Sequence, residues 1–216
     1  MSKHSIYEEM ENQKKRGVLL VLTGPTCAGK DVLIEALKKE NSNLVRLVTT
    51  NSRPRRSEEK EGYDYYFVSR QDFEKMIAND EFFEWVEYRG NYRGGRKKHV
   101  EEALSSGHDI VWRIDTKGVK NIKEKVLRMV KDPNSSIKHV VFVFLAAPNL
   151  ETLKGRIEKR GTESLEEEKQ SLNLAKWEIE QFDDSDYLVV NVDGKLDEAV
   201  EKVRMIIETE RLRIQK

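Results

Sequence analysis

Seven residues constrain this chain more than any others: Gly24-Pro25-Thr26-Cys27-Ala28-Gly29-Lys30, which spell G-x-x-x-x-G-K. Before them lies the apolar run 17–23, Gly-Val-Leu-Leu-Val-Leu-Thr, which reads as a strand buried on both faces, as in a parallel sheet. After them, 31–39 has helical spacing, with Val32, Leu33, Ile34 and Leu37 as its apolar positions. A glycine-bearing loop between strand and helix can wrap a phosphate in successive backbone N–H groups. The helix N-terminus adds favourable partial charge, and Lys30 can reach terminal phosphate oxygens. The residue after the lysine is Asp31, where this motif normally closes with a hydroxyl. A carboxylate there can ligate Mg²⁺ or cap the helix, and it also sets negative charge beside polyanionic phosphate.

Further short apolar runs at 44–48, 110–114, 140–145 and 187–190 read as strands. Helical patterns occupy 96–106, 117–130, 149–159, 165–181 and 195–213. Strands alternating with helices predict an α/β fold built on a doubly wound parallel sheet. The stretch 51–95 breaks the alternation. It is polar, aromatic-rich and punctuated by Pro54, Gly62, Gly90, Gly94 and Gly95. Runs at 63–68 and 83–92 look like antiparallel strands with a helix near 71–78 between them, giving a small inserted α+β subdomain. A second irregular stretch, 156–168, is strongly charged.

Lys plus Arg equals Asp plus Glu, 39 each, so no overall field favours nucleic acid or an anionic membrane. No apolar run approaches the ~20 residues of a membrane span. Residues 1–16 are dense in charge and lack the apolar core of a secretion signal. Cys27 is the single cysteine, so no intrachain disulfide forms. These features predict a soluble cytoplasmic protein acting on small molecules, with neither nucleic acid nor membrane as partner.

Several side chains beyond the loop can handle phosphate or a base. Arg53 and Arg56, three residues apart around Pro54, can converge two guanidinium forks on one phosphate, or form a solvated basic loop. The Tyr65 hydroxyl can join them or simply pack. In Glu81-Phe82-Phe83-Glu84-Trp85, strict alternation puts Phe83 and Trp85 on one face and Glu84 on the other. A carboxylate facing a cleft can accept paired N–H bonds from a guanine edge; otherwise Glu84 is an exposed strand residue. Arg113 and Asp115 share a face at the carboxyl end of their strand, where α/β ligands bind. Arg156 and Arg160 lie one helical turn apart, placed to clamp a phosphoryl group or to face solvent.

In this order and spacing the residues resemble the guanylate kinase family across about 18–212. The pieces are Gly24 to Lys30; Arg53, Arg56, Glu59, Gly62 and Asp64-Tyr65-Tyr66-Phe67-Val68; Glu81 to Trp85; Gly90-Asn91-Tyr92; Ile114-Asp115 with Gly118; Arg160-Gly161-Thr162-Glu163; and Val189-Val190-Asn191 with Glu210-Arg211-Leu212. The resemblance implies one domain at 17–213 after a charged extension at 1–16. A P-loop core (17–50 and 96–213) would carry a nucleoside-monophosphate-binding subdomain at 51–95 and a helical lid near 156–170. It implies phosphoryl transfer from ATP, with Mg²⁺, to GMP. The loop residues Gly24, Pro25, Thr26, Cys27, Ala28, Gly29, Lys30 and Asp31 would bind ATP, with Asp31 as a metal contact. Arg53, Arg56 and Tyr65 would hold the GMP phosphate, Glu84 would read the guanine with Thr49 as a second contact, and Arg93 and Asp115 would also belong to the GMP site. Lys30, Arg156 and Arg160 would act on the transferring group.

The chain departs from the family pattern at the site. Asp31 replaces the loop hydroxyl. Arg93 and Gly95 stand where a tyrosine and a hydroxyl residue are usual, and Arg93 could replace the tyrosine electrostatically. Arg113 stands where an aspartate is usual, and Ser171 where a further arginine is expected. Losing one transition-state arginine would cost about 3–4 kcal/mol on the scale of oxyanion donors. Two alternatives follow: a ribose bisphosphate-type phosphokinase, some of which carry Gly-Lys-Asp in the loop, or a non-catalytic binding module of the same fold.

Overall fold

All six residues of β1 (Val18–Thr23) are wholly buried, because helices cover both faces of the sheet it centres. The computed structural model describes residues 17–88, 90–132, 135, 137–160 and 165–214. The expected extension at 1–16 and the lid residues 161–164 lie outside that set.

The chain continues through α1 (Lys30–Glu40), β2 (Leu44–Arg46), β3 (Thr50–Asn51), β4 (Tyr66–Phe67), α2 (Arg70–Ala78), β5 (Phe82–Tyr88) and β6 (Asn91–Arg96). Then come α3 (Lys97–Ser105), β7 (Asp109–Arg113), a 3₁₀ turn (Thr116–Gly118), α4 (Val119–Val130) and β8 (His139–Ala146). Last are α5 (Leu150–Arg160), α6 (Leu165–Glu180), a second 3₁₀ turn (Phe182–Asp184), β9 (Tyr187–Val190) and α7 (Leu196–Arg211).

The main sheet is parallel throughout, in the order β2-β7-β1-β8-β9. Alternate residues of β1 serve two apolar layers. Val18, Leu20 and Leu22 pack with Leu33 and Leu37 of α1 and with Val200 and Val203 of α7. Leu19 and Val21 pack on the other face with Val100 of α3, Ile122 and Val126 of α4, and Phe142. At ~25 cal/mol per Å² this two-sided burial is the chain's main stabilising term. It also holds the loop after β1 at the carboxyl edge of the central strand, beside both β7 and β8, the position where ligands of open α/β sheets bind.

The stretch expected as an insertion forms a second, smaller sheet whose pairing differs from the sequence expectation. The second sheet has the order β4-β3-β6-β5. The expected strand at 63–68 shortens to two residues that pair parallel to β3. The expected strand at 83–92 is instead the hairpin β5–β6, whose antiparallel register runs from Tyr88↔Asn91 to Phe82↔Arg96. β3, which pairs antiparallel to β6 and joins β4 to the hairpin, was not anticipated. Two-residue strands carry no readable period; their partners are fixed by tertiary contacts.

Strict alternation also fails in β5. The register shifts between Phe82 and Glu84, so that two residues of β5 answer one step of β6. Phe82 stacks on Phe73 of α2, ring centroids 4.3 Å apart. Phe83 turns inward and lies 6.0 Å from Trp112 of β7. Glu84, opposite Gly95, points inward as well, toward Gly118, while Trp85 stays largely exposed beside Tyr92. Phe83 and Trp85 therefore do not share a face; the bulge turns Glu84 to the side that Phe83 occupies.

Candidate active site

The loop after β1 leaves the sheet through two glycines with positive φ. Gly24 (φ 135°) runs so close to β8 that a β-carbon there would stand 2.1 Å from the Leu145 carbonyl oxygen. Gly29 (φ 96°) would set one 2.4 Å from the Asn191 side-chain nitrogen. Only glycine meets both demands, conformation and clearance. Cys27 also has positive φ (58°) and carries a free thiol. Gly29 is the N-cap residue of α1, and no side chain caps that end.

Lys30 is almost fully buried and folds back over the loop, donating from Nζ to the carbonyls of Gly24 (2.6 Å) and Pro25 (2.8 Å). Its pKa is pulled down to about 8, chiefly by burial and next by the charge of Arg113; Glu178, Asp115 and Asp31 act in the opposite direction. Asp31 does not cap α1. Its carboxylate accepts from Nη1 of Arg113 at 2.9 and 2.8 Å and lies 3.5 Å from the guanidinium of Arg46.

Arg156 is engaged with the loop from behind. It donates to the carbonyls of Ala28 (3.2 Å), Cys27 (3.4 Å) and Asn191 (2.8 Å), and pairs with Asp193 at 2.7 Å. Arg160 lines the same cavity, of about 800 Å³, as do Lys30, Asp31 and Arg156. Two residues there had no role in the sequence reading. Glu178 of α6 accepts the Thr26 N–H at 3.0 Å. Burial raises its pKa, opposed by that hydrogen bond and by Lys30. Asn191 donates to the Ala28 carbonyl at 2.9 Å. Glu178 is concealed in a helix rich in exposed glutamates. Asn191 follows the last strand, a position from which its contact with the loop is not deducible.

A second cavity, of about 450 Å³, lies between the subdomain and the main sheet. Thr49, Glu84, Arg93 and Asp115 line it, together with Gly95 and Gly118. Glu84 Oε2 is buried with no hydrogen-bond partner. Burial raises the Glu84 pKa to about 7; Asp115 pushes the same way and Lys125 opposes it. A carboxylate so placed lacks the donors its charge requires, and the cavity is where they would come from. Gly95 cannot carry a side chain here without displacement: its β-carbon would meet Trp112 at 2.9 Å.

Arg93 connects this cavity to the expected phosphate group. It donates to Thr49 Oγ1 at 3.2 Å and lies 5.0 Å above the Tyr65 ring, with Arg53 5.4 Å from the same ring. Arg53 is paired with Glu59, one contact at 2.7 Å and a second shorter. That pairing, led by the Arg53 hydrogen bond, holds the Glu59 carboxyl at about 2. Arg56 is exposed in the same turn, its backbone N–H bound to Glu59. Arg53, Arg56, Tyr65 and Arg93 thus gather at one end of the subdomain. No helix among the described residues is long and apolar enough to cross a membrane.

Among the described residues, no group of three or more His, Cys, Asp or Glu side chains could hold a metal ion.

Comparison with known proteins gives a consistent picture. A family model described as Guanylate kinase matches residues 16–210. A guanylate kinase of Carboxydothermus hydrogenoformans is 38% identical over 92% of this chain and 91% of its own length. One from Halalkalibacterium halodurans is 37% identical over the same shares. A crystal structure of guanylate kinase from Anaplasma phagocytophilum superposes with a TM-score of 0.63 at 29% identity, covering 92% of this chain and 88% of the other.

Proposed function

This chain belongs to the guanylate kinase family, an ATP-dependent nucleoside monophosphate kinase that converts GMP to GDP, and we propose how its residues divide that reaction between the two cavities. The observation that carries the assignment is the buried, unpartnered carboxylate of Glu84 in the smaller cavity. Guanine presents two adjacent N–H donors on one edge, the complement of a carboxylate's two oxygens. Thr49 and Asp115 border the same space. Arg53, Arg56, Tyr65 and Arg93 take the acceptor phosphate, and Arg93 supplies charge with its guanidinium.

The larger cavity takes ATP, its phosphates wrapped by residues 24–31. Lys30, held charged by bound phosphate, moves from the loop carbonyls to phosphate oxygens. Arg160 lies toward the transferring group, while Arg156 braces the loop. Mg²⁺ would arrive on the nucleotide and neutralise part of the charge developing on the phosphates. Asp115, which borders both cavities, is a candidate carboxylate for it, whereas both oxygens of Asp31 are engaged by Arg113. Catalysis is positioning plus electrostatics, with no covalent intermediate.

A coupled ADP-release assay across a panel of nucleoside monophosphates and ribose 1,5-bisphosphate tests this reading. Turnover with GMP well above the other acceptors is expected. Turnover with the sugar phosphate alone, or GMP binding without turnover, overturns it.

A further inference from the structure

Three residues line both cavities: Arg113, Asp115 and Lys117. Arg113 ends β7, next to β1 in the sheet, so its side chain emerges at the carboxyl edge beside the loop. From this geometry we infer that Arg113 is a catalytic residue, its guanidinium held across the junction of the cavities by Asp31 to stabilise the phosphoryl group in transit. The inference rests on the assignment of ATP to the larger cavity and of the acceptor to the smaller.

Both contacts to Asp31 use Nη1, so the remaining N–H donors of the guanidinium are not engaged by that carboxylate. Asp31 is also paired with Arg46, 3.5 Å away. A carboxylate that would otherwise repel phosphate thus becomes a fixed orienting group for a cation. Arg113 also stands near enough to Lys30 to be, after burial, the main influence lowering its pKa. Two cations crowded at one point repel each other, and a group with three charged equatorial oxygens between them relieves that repulsion. During transfer an acceptor phosphate oxygen forms a bond to the γ-phosphorus. The bond from that phosphorus to the β–γ bridging oxygen breaks, its electron pair remaining on ADP. No redox change accompanies the step.

Arg113→Met, Arg113→Lys, Arg113→Ala and Asp31→Asn, compared with wild type in steady-state kinetics, test the proposal. Melting temperature and GMP affinity measured on each preparation establish that the variant is folded. For Arg113→Met, kcat should fall on the order of 10²–10³-fold, the scale of one lost oxyanion donor, with both KM values within about threefold. Arg113→Lys should retain part of kcat, and added guanidinium ion at low millimolar concentration should restore part of that lost in Arg113→Ala. Asp31→Asn should lower kcat about tenfold, because the guanidinium remains but is no longer held. If Arg113→Met keeps kcat within about threefold of wild type, or loses only ATP affinity, Arg113 merely neutralises Asp31 and the proposal is overturned. Wild-type GMP turnover reports the underlying assignment separately: wild-type activity with an unaffected Arg113→Met variant leaves that assignment standing, whereas an inactive wild type removes both.

Discussion

Glu84 Oε1 lies only 2.6 Å from where a β-carbon on Gly118 would stand. The carboxylate therefore rests against bare backbone at the turn between β7 and α4. Gly118 has an ordinary helical φ of −86°, so alanine there meets no backbone strain, only the carboxylate. Gly118→Ala should push Glu84 off its position. We expect the KM for GMP to rise about tenfold, the KM for ATP to stay unchanged, and the melting temperature to move by no more than a few degrees. Parallel titrations of the two substrates check this.

The raised pKa of Glu84, about 7, gives a pH signature. Burial favours the protonated form, whereas guanine recognition needs the carboxylate. GMP affinity should therefore weaken as pH falls below about 7. In Glu84→Gln it should be weak throughout, more impaired than ATP affinity, and stripped of this dependence, leaving only the titration of the GMP phosphate. For folding the sign is opposite. The folded pKa exceeds the unfolded value of 4.5, so the protonated group's contribution is full below pH 4.5 and is lost as pH rises through about 7. Melting curves at pH 5 and pH 8 should differ less for Glu84→Gln than for wild type.

Lys30, with a pKa near 8 before nucleotide arrives, should bind a proton as phosphate enters. Calorimetry of ATP binding at pH 8.5 in buffers of differing ionisation enthalpy should show net proton uptake. ATP affinity should decline as pH rises above about 8. Lys30→Ala should abolish turnover and remove the uptake; near-normal kcat in that variant would refute the phosphate-loop assignment.

Gly95 and Trp112 occupy one space. Gly95→Ser should destabilise the protein by about 1–3 kcal/mol, the usual cost of overpacking. Trp112→Leu should relieve much of that in the double variant. A double-mutant cycle in urea measures the coupling, which should be favourable.

The parts of this molecule that were legible in the sequence are those with local causes. The run at 18–22, the glycines of the loop and the helical spacing after Lys30 each act within a few residues. The subdomain's pairing was not legible, because β3 and β4 are too short to show a period. Asp31 and Arg113 each stood out alone, but 82 residues separate them, and nothing local says that β7 would lie beside β1. Glu178 was invisible for the opposite reason: the same helix carries several other glutamates, and only its burial against Thr26 distinguishes it.

The irregularity in β5 amounts to a single extra residue. Removing Phe83, the position between Phe82 and Glu84, would restore regular pairing while Glu84 stayed opposite Gly95 and kept its face; the loss would be the ring packed 6.0 Å from Trp112. Relatives of this chain with a one-residue gap at this point should therefore keep the carboxylate in its cavity and differ instead in the apolar wall between the two sheets.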